Sequence, residues 1–129
     1  MSKKILLLGL IMVIIIFTTG CFSILPVIGL ALVDEIDILI LESFPVQINV
    51  IASGNFPNPC TEISEVLQEK EGNTFFITIK TYNSPGFCIQ VLTPFEEIIP
   101  LEVYGLPAGT YTVDVNGVQG TFDLGVDNI

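Results

Sequence analysis

From Phe44 onward the chain alternates apolar and polar residues in short runs. Val46, Ile48 and Val50 interleave with Gln47, Asn49 and Ile51, the period of a half-buried strand. Ser53-Gly54-Asn55-Phe56-Pro57-Asn58-Pro59 is rich in turn formers and reads as a loop. Cys60 to Lys70 and Thr74 to Tyr82 are strand candidates joined by the hairpin connection Glu71-Gly72-Asn73. In the second of them Phe75, Ile77 and Ile79 face one way and Thr78 and Lys80 the other. After the turn Asn83-Ser84-Pro85-Gly86, the run Phe87 to Leu92 reads as a short strand that Thr93-Pro94 breaks. Phe95 to Val103 is extended, with Pro100 marking an edge or a bulge. Thr110 to Val115 and Val118 to Leu124 form a closing hairpin around Asn116-Gly117, the strongest short hairpin signal. About seven strands with turns every 8–12 residues predict an all-β, immunoglobulin-like antiparallel β-sandwich over residues 44–126.

Residues 21–43 read less clearly, as an apolar tether or a packing segment. Ile24 to Val33 is almost wholly apolar, with Pro26 and Gly29 as breakers. Ile36, Ile38 and Ile40 then alternate with Asp37, Leu39 and Leu41, as in a strand, while Val27 to Leu41 also accommodates a short helix. Three roles stay open for 24–41: packing on the domain, lying in a lipid interface, or meeting a partner.

The first residues read as an export signal. Lys3 and Lys4 precede the uninterrupted apolar run Ile5 to Phe17, and Thr18, Thr19 and Gly20 lead to Cys21. A basic start, an apolar run and a small-residue end are the secretory pattern. Thr19-Gly20-Cys21 resembles the lipobox of bacterial lipoproteins, although Thr18 stands where an aliphatic residue is usual. That resemblance implies cleavage after residue 20 and a lipid on the Cys21 sulfur. The alternative is an uncleaved transmembrane anchor helix over about residues 5–25, an uncharged stretch long enough to span a bilayer. Either way the two lysines stay on the cytoplasmic side and the rest of the chain lies outside, at the cell envelope.

Charge and composition narrow the function classes. Lys and Arg total 4 against 14 acids, and there is no His. No basic stripe for phosphates can be assembled, so nucleic-acid binding is excluded. Beyond residue 20 only Lys70 and Lys80 remain against all 14 acids, a net charge of about −12 that opposes lying flat on an anionic membrane. With Cys21 lipidated, Cys60 and Cys88 are left as a pair that oxidises outside the cytoplasm. Two thiolates without His make a poor zinc site, so the pair reads as structural.

Leu106-Pro107-Ala108-Gly109-Thr110-Tyr111 resembles the tyrosine corner of immunoglobulin-like sandwiches, with Leu106, Gly109 and Tyr111 as its marker residues. The resemblance implies that the Tyr111 hydroxyl bonds back to upstream backbone. The stretch from Cys88-Ile89-Gln90-Val91-Leu92 to Leu124 resembles a recurring family of uncharacterised secreted bacterial proteins, over residues 57–124. It implies fold and export, and brings no activity with it.

Candidate chemistry is thin. Glu96 and Glu97 are adjacent and in a strand point to opposite faces, unlike a converging glycosidase pair. Asp34, Glu35 and Asp37, or Asp123 and Asp127, lack the spacing of a calcium loop. The serines have no His as base. No metal or cofactor is implied, and no enzyme is expected. The better lead is aromatic: Phe56, Tyr82, Phe87, Phe95 and Tyr104 sit in or beside Pro/Gly-rich loops, where recognition is common. The expectation is a membrane-anchored extracytoplasmic binding or adhesion module with an unidentified protein or envelope partner. An envelope assembly subunit that self-associates through 24–41, and an inhibitor of an extracellular hydrolase, are the alternatives.

Overall fold

The computed structural model describes residues 27–129. The signal peptide 1–20, the alternative anchor helix over 5–25 and lipidation at Cys21 lie outside the described residues. Eight strands follow one another: β1 (Val27–Leu30), β2 (Val33–Leu41), β3 (Gln47–Phe56), β4 (Thr61–Glu71), β5 (Thr74–Asn83), β6 (Thr93–Pro100), β7 (Gly109–Val115) and β8 (Val118–Leu124). They form a β-sandwich of a five-stranded and a three-stranded sheet.

The three-stranded sheet runs β2-β3-β6. Ile36, Ile38 and Ile40 of β2 oppose Ala52, Val50 and Ile48 of β3, which are all but fully buried. The alternation in 36–41 is thus that of a strand, with Ile36 and Ile38 packed against the core and Ile40 exposed near its end. The sandwich extends N-terminal of residue 44, the expected start, because β1 and β2 each belong to a sheet. Between them the chain crosses from one sheet to the other at Ala31-Leu32. The Leu32 carbonyl passes so close to β3 that a Cβ at position 54 would lie 2.2 Å from its oxygen. Gly54 therefore marks a close backbone approach inside a strand, not the turn expected from Ser53-Gly54, and β3 runs on to Phe56.

The five-stranded sheet is built around β5. β4 pairs antiparallel along one edge, with a register shift between Ile63 and Glu65 that accounts for its uneven apolar spacing. The other edge is shared. β1 pairs antiparallel with residues 80–83, and β7 pairs parallel with residues 74–77. The expectation of a wholly antiparallel sandwich is corrected here: the chain passes through the other sheet between β5 and β7, so nothing obliges those two strands to oppose one another.

The shared edge leaves a gap that Asn116 fills. β1 ends opposite Lys80 and β7 ends opposite Ile77. Asn116, at φ 48° in the β7–β8 turn, accepts a hydrogen bond from the Ile79 amide at 2.9 Å. Its side-chain amide donates to the carbonyls of Ala31 at 2.8 Å and Ile79 at 3.0 Å. One side chain thus stands in for a missing strand residue and ties the first strand to the last hairpin.

The expected strand at 87–92 is absent. This segment carries the chain over the end of the sandwich from β5 to β6, beyond the last paired residue of either sheet. Its hydrogen bonds are local, such as Val91 N–H to the Ile89 carbonyl at 3.1 Å. Thr93-Pro94, expected as a breaker, instead begins β6. Proline is tolerated there because β6 pairs only with β3 and its other side is a free edge.

Phe75, Tyr111 and Phe122 form the aromatic centre of the core, with ring centroids 5.5–6.1 Å apart. The Tyr111 hydroxyl donates to the Pro107 carbonyl at 2.7 Å. Tyr111→Phe keeps the ring and leaves that carbonyl without its partner. The expected loss is about 1 kcal/mol, read as a lower urea midpoint at unchanged slope.

Candidate binding surface

Among the uncharged stretches of the sequence are 27–33, 55–61 and 82–95. Strand pairing gathers them at one end of the sandwich. Val27 and Thr61 flank Asn83 from opposite sides. Phe56 opposes Thr93. The Cys60–Cys88 disulfide, with Cα atoms 6.3 Å apart, fastens the 84–92 loop to the start of β4. Asp34, Glu62 and Glu96 each stand one residue beyond these stretches, so the acids begin at the rim.

Local hydrogen bonds shape this end. The Asn58 side-chain oxygen accepts from the Thr61 hydroxyl at 2.9 Å and from the Cys60 amide at 3.1 Å, which sets the turn into β4. Phe56 stacks on Phe95 at 4.4 Å between centroids, with planes 10° apart. Phe56 is buried and Phe95 half-buried, so this pair closes the core instead of reaching into solvent.

The disulfide loop does the opposite. Phe87 is 97% exposed, and Ile89, Val91 and Leu92 are each more than half exposed. Ile28, Leu30 and Leu32 on the incoming strand and crossover are exposed to the same degree. A cleft of about 370 Å³ lies between these segments, with Leu30, Leu32, Phe56, Pro57 and Leu92 among its lining residues. Among the described residues every buried side-chain nitrogen and oxygen has a hydrogen-bond partner. The cleft therefore offers shape and apolar surface, with no unpaired buried polar group to orient a polar ligand.

The aromatic candidates do not form one surface. Tyr104 is exposed beside Pro45 and Val46, where β3 begins, at the opposite end from Phe56. Tyr82 is a half-buried strand residue of β5. Of the loop aromatics only Phe87 projects from the uncharged end. Ile89, Val91 and Leu92 were hidden from the sequence by their strand-like spacing, and Ile28, Leu30 and Leu32 by their resemblance to a tether. No sequence signal singles them out, since other uncharged stretches such as 103–113 lie elsewhere; only strand pairing brings these segments together.

The carboxylates do not converge. Glu96 is exposed, whereas Glu97 is half-buried opposite the fully buried Ala52. A charge turned inward on an edge strand discourages pairing with another sheet. The exposed Glu62, Glu65, Glu69 and Glu71 do the same along β4, the edge of the larger sheet. Asp123 accepts from the Thr110 hydroxyl at 2.6 Å, and Asp127 accepts from the Ala108 amide at 2.8 Å. Among the described residues no group of three or more His, Cys, Asp or Glu could hold a metal ion. Among them, too, no helix is long and apolar enough to cross a membrane.

The model of the ORF11 beta-sandwich domain family matches residues 50–124. An uncharacterized 10.2 kDa protein in the HgiCIIM 5′ region of Herpetosiphon aurantiacus is 34% identical over 94 residues, which span 72% of this chain and 99% of that protein. No solved structure matches.

Proposed function

The chain belongs to the ORF11 β-sandwich domain family, and from that premise we propose that it is a membrane-anchored, extracytoplasmic binding module of the cell envelope. The observation that carries this reading is the sequence Lys3 to Cys21: a basic start, an apolar run and a lipobox-like Cys standing ahead of the sandwich. The Cys60–Cys88 bridge fits an oxidising compartment. The sandwich is of the immunoglobulin-like type, a reading supported by the Tyr111 back-bond and by a first strand that crosses between sheets. The module acts by binding and not by catalysis, since it has no His and its carboxylates are spread over separate edges.

The alternative of self-association through 24–41 gains no observation of its own, since residues 27–41 pair with β5 and β3 of their own domain. The hydrolase-inhibitor alternative gains no observation of its own.

Intact mass spectrometry of the membrane-extracted protein tests the proposal. The expected mass is that of residues 21–129 plus a diacylglycerol-type lipid, with two cysteines alkylated only after reduction. A whole-chain mass would replace the lipid by a transmembrane anchor. An unlipidated full-length product in the soluble cytoplasmic fraction would overturn the reading.

A further inference from the structure

We propose that the 84–92 loop seats its exposed apolar side chains in the phospholipid interface, as a second and non-covalent membrane contact beside the N-terminal anchor. The inference rests on the anchoring proposed above and adds the orientation of the domain. Its first support is chain continuity. The uncharged run that begins at Ile5 continues to Val33. Val27 is already opposite Asn83, the residue before the loop begins. Only Pro26 stands between Leu25 and Val27, a span of at most about 7 Å of extended chain. A lipid on Cys21 is six residues away, about 20 Å at full extension. Either anchor brings the bilayer surface close to this end of the sandwich.

The second support is the distribution of charge. Residues 82–95 carry none, while all 14 acids lie elsewhere. The β4–β5 hairpin, where Glu69 and Glu71 stand, is at the far end of the ten-residue strand β5, about 30 Å away. That separation exceeds a physiological Debye length of about 8 Å several times over. An acidic domain standing on its uncharged end keeps most of its charge out of the repulsion of an anionic leaflet. Lying on a side would bring the β4 glutamates down to it.

The third support is the character of the loop. Phe87, Ile89, Val91 and Leu92 are exposed within nine residues, a density of apolar surface that water does not favour. The disulfide holds the loop against the start of β4, so little ordering remains to be done on insertion. Aromatic and aliphatic side chains of this kind settle about 5–10 Å into the headgroup–acyl boundary.

The chain has no Trp, which makes a single-indole experiment possible. Full-length Phe87→Trp and, separately, Phe76→Trp are reconstituted into phosphatidylcholine vesicles. Some of the lipids carry bromine near the top of the acyl chains. Phe76 lies toward the acidic end of β5, opposite Glu69. Flotation of the same samples reports anchoring, and alkylation before and after reduction reports the bridge. Ile89→Trp supplies a second reporter on the loop should Phe87→Trp fail to form the bridge. The expected result is flotation of every variant, a blue shift for the loop indoles, and bromine quenching about twofold or more above that at position 76. Flotation with equal quenching at 76 and in the loop would overturn the inference and leave the anchor standing. A blue shift without quenching would mean that the loop is buried against protein, and would overturn it too. Failure to float would overturn the anchor and the inference together.

Discussion

Replacing both Cys60 and Cys88 by Ser is expected to cost about 3–4 kcal/mol. The bridge spans 28 residues, and the chain-entropy relation for a loop of that size gives this figure. Domains of this kind are stable by about 5–15 kcal/mol in total, so the loss is a large fraction. With urea slopes of about 1–3 kcal/mol per molar, the midpoint should fall by about 1–4 M. The effect should also be local. Residues 84–92 lie beyond the strand ladders, and without the bridge they keep one backbone hydrogen bond to the rest of the domain, from the Ser84 amide to the Cys60 carbonyl at 3.2 Å, besides local ones. Limited proteolysis should therefore cut the double variant in this loop first, under conditions that leave the oxidised protein whole. A midpoint unchanged by reduction would mean that the loop contributes nothing to the fold.

The second large effect is expected at Asn116. By turn chemistry alone Asn116→Gly should be nearly neutral, because Gly-Gly suits a two-residue hairpin turn as Asn-Gly does. Here it removes three hydrogen bonds, to the Ile79 amide, the Ile79 carbonyl and the Ala31 carbonyl. The first two belong to the middle of β5, on the stretch of its edge that neither β1 nor β7 covers. The loss should be about 2–3 kcal/mol, with much faster hydrogen exchange at the Ile79 amide. Asn116→Ala adds strain at positive φ and should cost more. A neutral Asn116→Gly would show that the side chain serves the turn alone.

Asn116 illustrates what a sequence of this kind reveals. Asn116-Gly117 announces a hairpin because its conformational preference is local. The bond from Asn116 to Ala31 spans 85 positions and leaves no local trace. The alternation of Phe75, Ile77 and Ile79 gives the buried face of β5, and that of Ile36 and Ile38 gives the inner face of β2. Alternation cannot supply a partner, so the parallel pairing of β5 with β7 is invisible to it. For the same reason Phe87, Ile89 and Val91 look like a strand: the period is right, and no edge is within reach to pair with. Gly54 reads as a turn residue because a glycine needed for close approach and a glycine needed for turning are the same letter. The surface was legible only in part. Phe87 stood out as a loop aromatic, but the uncharged end is a property of three distant stretches that strand pairing brings together.

The crossing of the first strand from one sheet to the other has a mechanical consequence. Tension arriving from the N-terminal side of Val27 pulls β1 along its own axis, so the four residue pairs with β5 are loaded in shear and must fail together instead of peeling one by one. Behind them the load passes through Ala31-Leu32 to β2, whose long ladder with β3 belongs to the other sheet. The two layers therefore share the force in series. The lifetime of the folded state under such a pull is set by its unfolding rate and not by its equilibrium stability.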